Sequence, residues 1–384
     1  MDSKKQNSGF ATKAIHSSNN PSKWGGKSAS TFKENPQDGK EEYLHGGNSN
    51  ATRDTLENCL ASLENAKYGV TFGSGLAAIT AVFNLLRPGH HVIISNSVYG
   101  GTTQLVKEVF MRFGIEFTFI NFVECGNFQQ VMKPKTKMVF IETPTNPLLH
   151  VLDIESIARS THMQPGTLLV VDNTFTTPYL QRPLDLDADI TVTSLSKYMN
   201  GHSDVIMGFV ATNCKSVYKK LRTLQTVTGG GPSTLDCYQM LRSIKTLSLR
   251  MDQHGKSALC VAKFLEGNKF VEKVSYPGLK SHRQHELNRR QSYGSSGIVS
   301  FWIKGRLKQA NKFLNSLKLF QLAISFGTCQ SLAQLPYTMT HGNLSPEAKQ
   351  IAGITENLIS LSVGLEDAQD IVADLDQALK ASQK

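Results

Sequence analysis

The chain has 384 residues, 40% of them hydrophobic and 19% charged, which is enough apolar material for one large and one smaller globular domain. Its net charge of +10 (41 Lys+Arg against 31 Asp+Glu) is spread thinly, with no long basic run interleaved with aromatics. That argues against nucleic acid as a partner and favours a weak general attraction for anionic cofactors or substrates. No apolar run nears the roughly 18 residues that cross a bilayer. Residues 1–8 have no apolar stretch behind them, and the six scattered cysteines include no CxxC pair. A membrane anchor, a secretory signal, a disulfide frame and a metal site are therefore not expected, and a cytoplasmic location is.

Residues 1–52 are polar and rich in Gly, Ser and Asn, with Phe10, Trp24, Phe32 and Tyr43 widely spaced. They read as an extended N-terminal arm with little core of its own. A helical pattern starts at Thr55 and runs through Leu56, Cys59, Leu60 and Leu63. Strand-like runs follow at 91–95, 117–122, 138–142, 168–172, 189–193 and 205–211, with amphipathic runs such as 101–113 and 154–162 between several of them. This alternation predicts an α/β domain with a mostly parallel sheet and helices on both faces. Residues 235–265 read as a helix leading out of that domain. Beyond it come strands at 298–303, 320–324 and 358–363 and helices at 307–317 and 366–381. The expected organisation is an arm at 1–52, a large domain at 53–250 and a smaller α+β domain at 251–384.

The most informative stretch is Ser194-Leu195-Ser196-Lys197-Tyr198-Met199-Asn200-Gly201-His202-Ser203-Asp204. It sets a lysine between small hydroxyls and a glycine, just past a β-rich segment. A lysine there can lose solvation, shed its proton near neutral pH and form an imine with a carbonyl cofactor. Ser194 and Ser196 could hold a phosphate at the same time. Pyridoxal 5'-phosphate (PLP) asks for both, and also for an acid at its pyridine nitrogen, a phosphate cradle and a surface for its ring.

Asp172, at the carboxyl end of Leu168-Leu169-Val170-Val171, is the acid candidate, because ligands in open α/β sheets gather beyond the carboxyl ends of strands. Alone it would read as an aspartate shaping the turn into Asn173-Thr174. The pairing with Lys197 at another strand end favours the functional reading. Phe72-Gly73-Ser74-Gly75-Leu76, ahead of a helical pattern, is the candidate cradle, since glycines let amides approach an anion. Tyr99 is the ring-face candidate and would otherwise be packing. Asn146, in Glu142-Thr143-Pro144-Thr145-Asn146-Pro147, either meets the cofactor's phenolic oxygen or shapes a proline turn.

Together these residues resemble the Cys/Met-metabolism family of PLP enzymes, which have the aspartate-aminotransferase fold, PLP fold type I. The matching stretches are 142–147, 170–175, 196–207 and 361–367, with Tyr276-Pro277-Gly278-Leu279 and His285-Glu286-Leu287 further on. The likeness runs from about Phe10 to Ala381. It implies that Lys197 is the imine lysine, that Asp172 pairs with the pyridinium and that Tyr99 stacks on the ring, with Lys197 and Tyr99 as catalytic residues. Gly75, Leu76, Ser194 and Ser196 would hold the phosphate, Asn146 would also meet the cofactor, and Ser325 and Ser360 would lie on the substrate side. The resemblance further implies a homotetramer in which Tyr43 reaches a neighbour's phosphate. The implied substrate is a small sulfur amino acid. The implied activity is carbon–sulfur γ-lysis in transsulfuration, splitting cystathionine into cysteine, 2-oxobutanoate and ammonia.

The chain also departs from the family pattern. His45 stands where an arginine is expected two residues after Tyr43, and the segment on to Arg53 carries two extra residues and no proline. Ser360 replaces the arginine that forks onto the substrate α-carboxylate, Gln104 replaces another arginine, and Ile324 replaces a glutamate near the substrate's far end. Serine cannot supply a bidentate charge, and losing such a contact commonly costs on the order of a few kcal/mol. The rival expectation is therefore a non-enzymatic or substrate-shifted paralogue that keeps PLP.

Overall fold

Two β-sheets organise the chain, and the computed structural model describes residues 9–16, 50–125, 128–342 and 345–384. Tyr43, His45 and most of the expected arm lie outside the described residues. The first sheet has seven strands: β1 (Tyr68–Phe72), β2 (His91–Ser95), β3 (Glu116–Ile120), β4 (Thr136–Glu142), β5 (Leu168–Asp172), β6 (Ile190–Ser194) and β7 (Gly208–Thr212). Their spatial order is β1-β7-β6-β5-β4-β2-β3. β3, β2, β4, β5 and β6 run parallel, while β7 and β1 are antiparallel to their neighbours.

The helices of this part are α1 (Phe10–His16), α2 (Ala51–Leu63), α3 (Gly75–Phe83), α4 (Gly100–Leu105), α5 (Ile154–His162), α6 (Thr177–Leu180), α7 (Lys215–Val227) and α8 (Thr234–Ile244). Side chains alternate across the strands, which explains the two cores around the sheet. Val92, Ile94, Phe140 and Val170 join α3 and α7 on one face, and Ile93, Val139, Ile141 and Val171 join α5 on the other. Burial on both sides is why β2, β4 and β5 read as continuous apolar runs.

The long helix α9 (Leu247–Glu266) places Met251 in the core beside the first sheet and Ala258, Val261 and Leu265 in the core of the second. That second sheet consists of β8 (Val271–Ser275), β9 (Ile298–Ile303), β10 (Gln321–Leu322), β11 (Leu332–Gln334) and β12 (Leu358–Ser362), in the order β10-β11-β12-β9-β8. It pairs antiparallel except between β10 and β11. Helices α10 (His285–Gln291), α11 (Leu307–Ser316), α12 (Pro346–Ile351) and α13 (Ala368–Ser382) complete the chain.

Several elements differ from the sequence expectation. The described part of the arm is helical: α1 buries Ala14 to 2% exposure and sets Phe10 edge-on to Tyr179 at 4.9 Å. Phe10 and Ala14 are four residues apart and so share a face, a signal too short to stand out in a polar segment. Helix α2 starts at Ala51, ahead of Thr55, because the Asn50 side chain accepts from the amides of Thr52 and Arg53 at 3.0 and 3.3 Å. The single helix expected at 235–265 is two, α8 and α9, and the expected 101–113 helix passes from α4 into a π-helical turn at Val106–Phe110.

Candidate active site

Parallel strands end on the same side of a sheet, so the carboxyl ends of β5 and β6 open together. With the amino end of α3 they bound a cavity of about 250 Å³. Gly75, Leu76, Tyr99, Asn146, Asp172, Ser194, Ser196 and Lys197 all line it. Clefts of about 540 and 590 Å³ elsewhere on the molecule contain none of these residues, so chemistry and not size marks the site.

Lys197 sits in the turn that leaves β6, half-buried, and burial pulls its ammonium below the usual lysine range. Its Nζ donates to Ser325 Oγ at 3.0 Å and lies 5.0 Å from the centre of the Phe326 ring. Both partners come from the loop before β11, so the second sheet's unit helps to hold the amine. The neutral form of a desolvated lysine is a nucleophile and a base.

Asp172 ends β5 at 7% exposure. Burial raises its carboxyl, and hydrogen bonds from Thr174 oppose that shift. Both bonds, from Thr174 N at 3.0 Å and from Thr174 Oγ1, fall on Oδ1. Thr174 Oγ1 in turn accepts from Ser194 N at 2.9 Å, so one hydroxyl ties the ends of β5 and β6 together.

The cradle forms where α3 begins. Ser74 caps the helix by accepting from Ala77 N at 3.0 Å. The amides of Gly75 and Leu76, at the first two helical positions, have no intrahelical acceptor and carry the positive end of the helix dipole. A Cβ on Gly75 would lie 2.8 Å from Ser194 Cβ and would fill this cradle. Ser196 also lines the cavity, but its hydroxyl already accepts from Met207 N at 2.9 Å and donates to Met207 O at 3.3 Å.

Tyr99 precedes α4 with 39% exposure, and its amide donates to Glu142 Oε2 at 2.8 Å. Glu142 ends β4 beside Asp172 on β5, is 5% exposed and lines the cavity. The sequence reading did not single out Glu142, Thr174 or Phe326. The position of Glu142 at a strand end, like that of Asp172, was the signal available for it. Thr174 and Phe326 carried none, because their roles depend on which elements meet.

The two substrate-side residues are separated. Neither lines the cavity, but Ser325 touches the lysine. Ser360 lies in β12 at 4% exposure, in register with Ser300 and Gln334 and hence on their face of the sheet. Ser300 donates to Pro147 O at 2.6 Å, so this face turns toward the loop that carries Asn146. Ile324 is 54% exposed next to Ser325, and Gln104 is exposed on α4. Among the described residues no group of His, Cys, Asp and Glu is arranged to hold a metal ion.

Residues 11–380 match the Cys/Met metabolism PLP-dependent enzyme family. The chain belongs to that family. It is 47% identical over 380 residues to human cystathionine gamma-lyase, covering 97% of this chain and 94% of the relative. It is also 47% identical over 338 residues to the cystathionine gamma-lyase of Dictyostelium discoideum, covering 88% of this chain and 87% of the relative. The crystal structure of cystathionine gamma-lyase from Lactobacillus plantarum, complexed with L-serine, superposes with a TM-score of 0.94 at 35% identity, over 98% of this chain and all of that one (100%). The metB protein of Corynebacterium glutamicum gives a TM-score of 0.93 at 38% identity, over 97% of this chain and 98% of its own. Like its family, the chain is a PLP-dependent enzyme with an α/β fold. The residues present suit that cofactor: a desolvated amine, a buried carboxyl at a neighbouring strand end and a helix terminus kept open by Gly75 share one cavity.

Proposed function

We propose that this protein is a carbon–sulfur γ-lyase of transsulfuration that converts cystathionine and water into cysteine, 2-oxobutanoate and ammonia. The observation that carries this reading is the pair Lys197 and Asp172, facing one cavity from adjacent strand ends in a chain 47% identical to human cystathionine gamma-lyase. Bound PLP supplies a carbonyl for amines and an electron-accepting ring.

Lys197 Nζ anchors the cofactor and, once freed, takes a proton from the substrate α-carbon and returns protons further along the chain. Ser325 and Phe326 hold that amine in place. Asp172 keeps the pyridine nitrogen protonated, and Thr174 steadies its charge. The amides of Gly75 and Leu76, with Ser194 and Ser196, bind the phosphate; Ser196 does so by turning its O–H away from Met207 O. Tyr99 covers the ring and Asn146 meets its phenolic oxygen. On the substrate side Ser325 takes part at the lysine, whereas Ser360, off the cavity wall, leaves the place of the family's guanidinium unfilled.

We further infer a large PLP-binding unit at 53–250 and a smaller one at 251–384, divided within α9. The working form is a cytoplasmic homotetramer in which Tyr43 completes a neighbour's phosphate site. Support comes from relatives matched over nearly their whole length.

The purified protein should show the visible absorbance of lysine-bound PLP and release 2-oxobutanoate from cystathionine. Absence of the band, or a band without product, defeats the proposal as it stands. Ser360→Arg should raise kcat/KM for cystathionine by about tenfold or more if the serine weakens carboxylate binding; no gain would show that Ser360 is not the limiting contact.

A further inference from the structure

We propose that Glu142 is the positioning residue for Tyr99, and that it acts as a neutral acid so that the Glu142–Asp172 pair keeps a single negative charge, held on Asp172. The inference deepens the PLP-enzyme reading and rests on it.

The geometry begins with the strands. Glu142 and Asp172 are the last residues of β4 and β5 and are partners in the parallel register, so they stand on neighbouring strands about 4.8 Å apart. Both are nearly excluded from solvent, at 5% and 7% exposure, and both line the cavity. Two carboxylates that close, in a site from which water is largely removed, do not both ionise. The hydrogen bonds decide which one keeps the charge. Asp172 Oδ1 receives two donors from Thr174, whereas Glu142 receives one, the amide of Tyr99 on Oε2. Burial first and the Asp172 charge second push Glu142 well above the usual carboxylate range. The other titratable groups that line the cavity are Tyr99 from the β2–α4 loop and Lys197 from the turn after β6, and Lys197 donates its hydrogen bond to Ser325. A neutral acid still offers its carbonyl oxygen to an amide, so the Tyr99 contact does not need the charge.

That contact controls the ring. Tyr99 N-caps α4 without a side-chain cap bond, so its backbone is fixed from outside the helix. The ring lies so close to Gly101 that a Cβ there would come within 2.5 Å of Tyr99 Cε1. Glu142 holds the backbone of Tyr99 and Gly101 makes room for its ring, and the two together set where the tyrosine stands at the cavity mouth.

Two variants of the PLP-loaded protein separate the claims. Glu142→Gln keeps an acceptor for the Tyr99 amide and cannot ionise; Glu142→Leu cannot ionise either and also lacks the acceptor. The first readout is cofactor release on dialysis, followed by absorbance. Glu142→Gln should retain PLP within about twofold of the unmodified protein, and Glu142→Leu should lose it about tenfold more readily. Equal retention by Glu142→Leu would overturn the positioning role. The second readout is Tm against pH for Glu142→Gln and the unmodified protein. A carboxyl raised in the folded state gives stability that is lost as pH climbs above its unfolded value. Glu142→Gln should therefore gain on the unmodified protein as pH rises above the ordinary carboxylate range. A difference that does not change with pH would overturn the neutral-acid claim, and this test stands even if Glu142→Leu fails to fold. An unmodified protein with no PLP band would count against the proposed function and not against this inference.

Discussion

The protonation of Lys197 is set by a balance between lost water and one retained partner. Burial pulls its pKa down, while Ser325 Oγ, as an acceptor 3.0 Å away, favours the charged ammonium. Ser325→Ala removes the opposing effect, so the amine should become neutral at lower pH. The acid limb of the pH profile for PLP attachment should move to lower pH, followed by absorbance during reconstitution. An upward shift would contradict this account. That the lysine and the aspartate share one cavity was legible because each follows a β-rich run and ligands gather at such strand ends. Their tuning was not legible. Ser325 lies 128 residues from Lys197, and no local pattern connects them.

Helix α3 shows how one short element can carry both stability and binding. Ser74→Ala removes the cap on Ala77 N and should cost about 1 kcal/mol in denaturant unfolding, whereas Ser74→Gly should cost only a few tenths. Gly75→Ala is different in kind. Its methyl would press on Ser194, so PLP retention should fall by about tenfold or more while the far-UV circular dichroism stays unchanged. Retention equal to that of the unmodified protein would show that the cradle lies elsewhere. The element pattern was readable where burial is continuous, as in β2, β5 and β9, or follows a clear helical period, as in α5, and these four fall at the residues expected from sequence. β11, for which no strand was expected, owes its existence to pairing with β10 and β12 in the second sheet, which no local propensity encodes.

At the scale of the molecule, buried charge ties stability to pH. Glu64, 1% exposed after α2, is pushed from an ordinary value near 4.5 up to about 8, chiefly by burial and against the pull of Arg182. Because the folded value is the higher one, its contribution is complete below about 4.5 and is lost as pH rises through about 8. Glu64→Gln should flatten that decline, so that Tm falls less between about pH 5 and pH 8 than in the unmodified protein. Equal slopes would place the titrating group elsewhere.

By itself the sequence determined the α/β class, the family and several residues that the fold brings to one cavity, since strand periodicity and the chemistry around Lys197 are local properties of the chain. The tertiary structure decided how those residues are poised. It brought Ser325 and Phe326 to the lysine, set Glu142 beside Asp172, committed the Ser196 hydroxyl to Met207 and kept Ser360 off the cavity wall. Each of these depends on the register between strands or on the second sheet's unit closing over the first. Proximity of that kind comes from packing between distant segments, and a linear pattern does not record it.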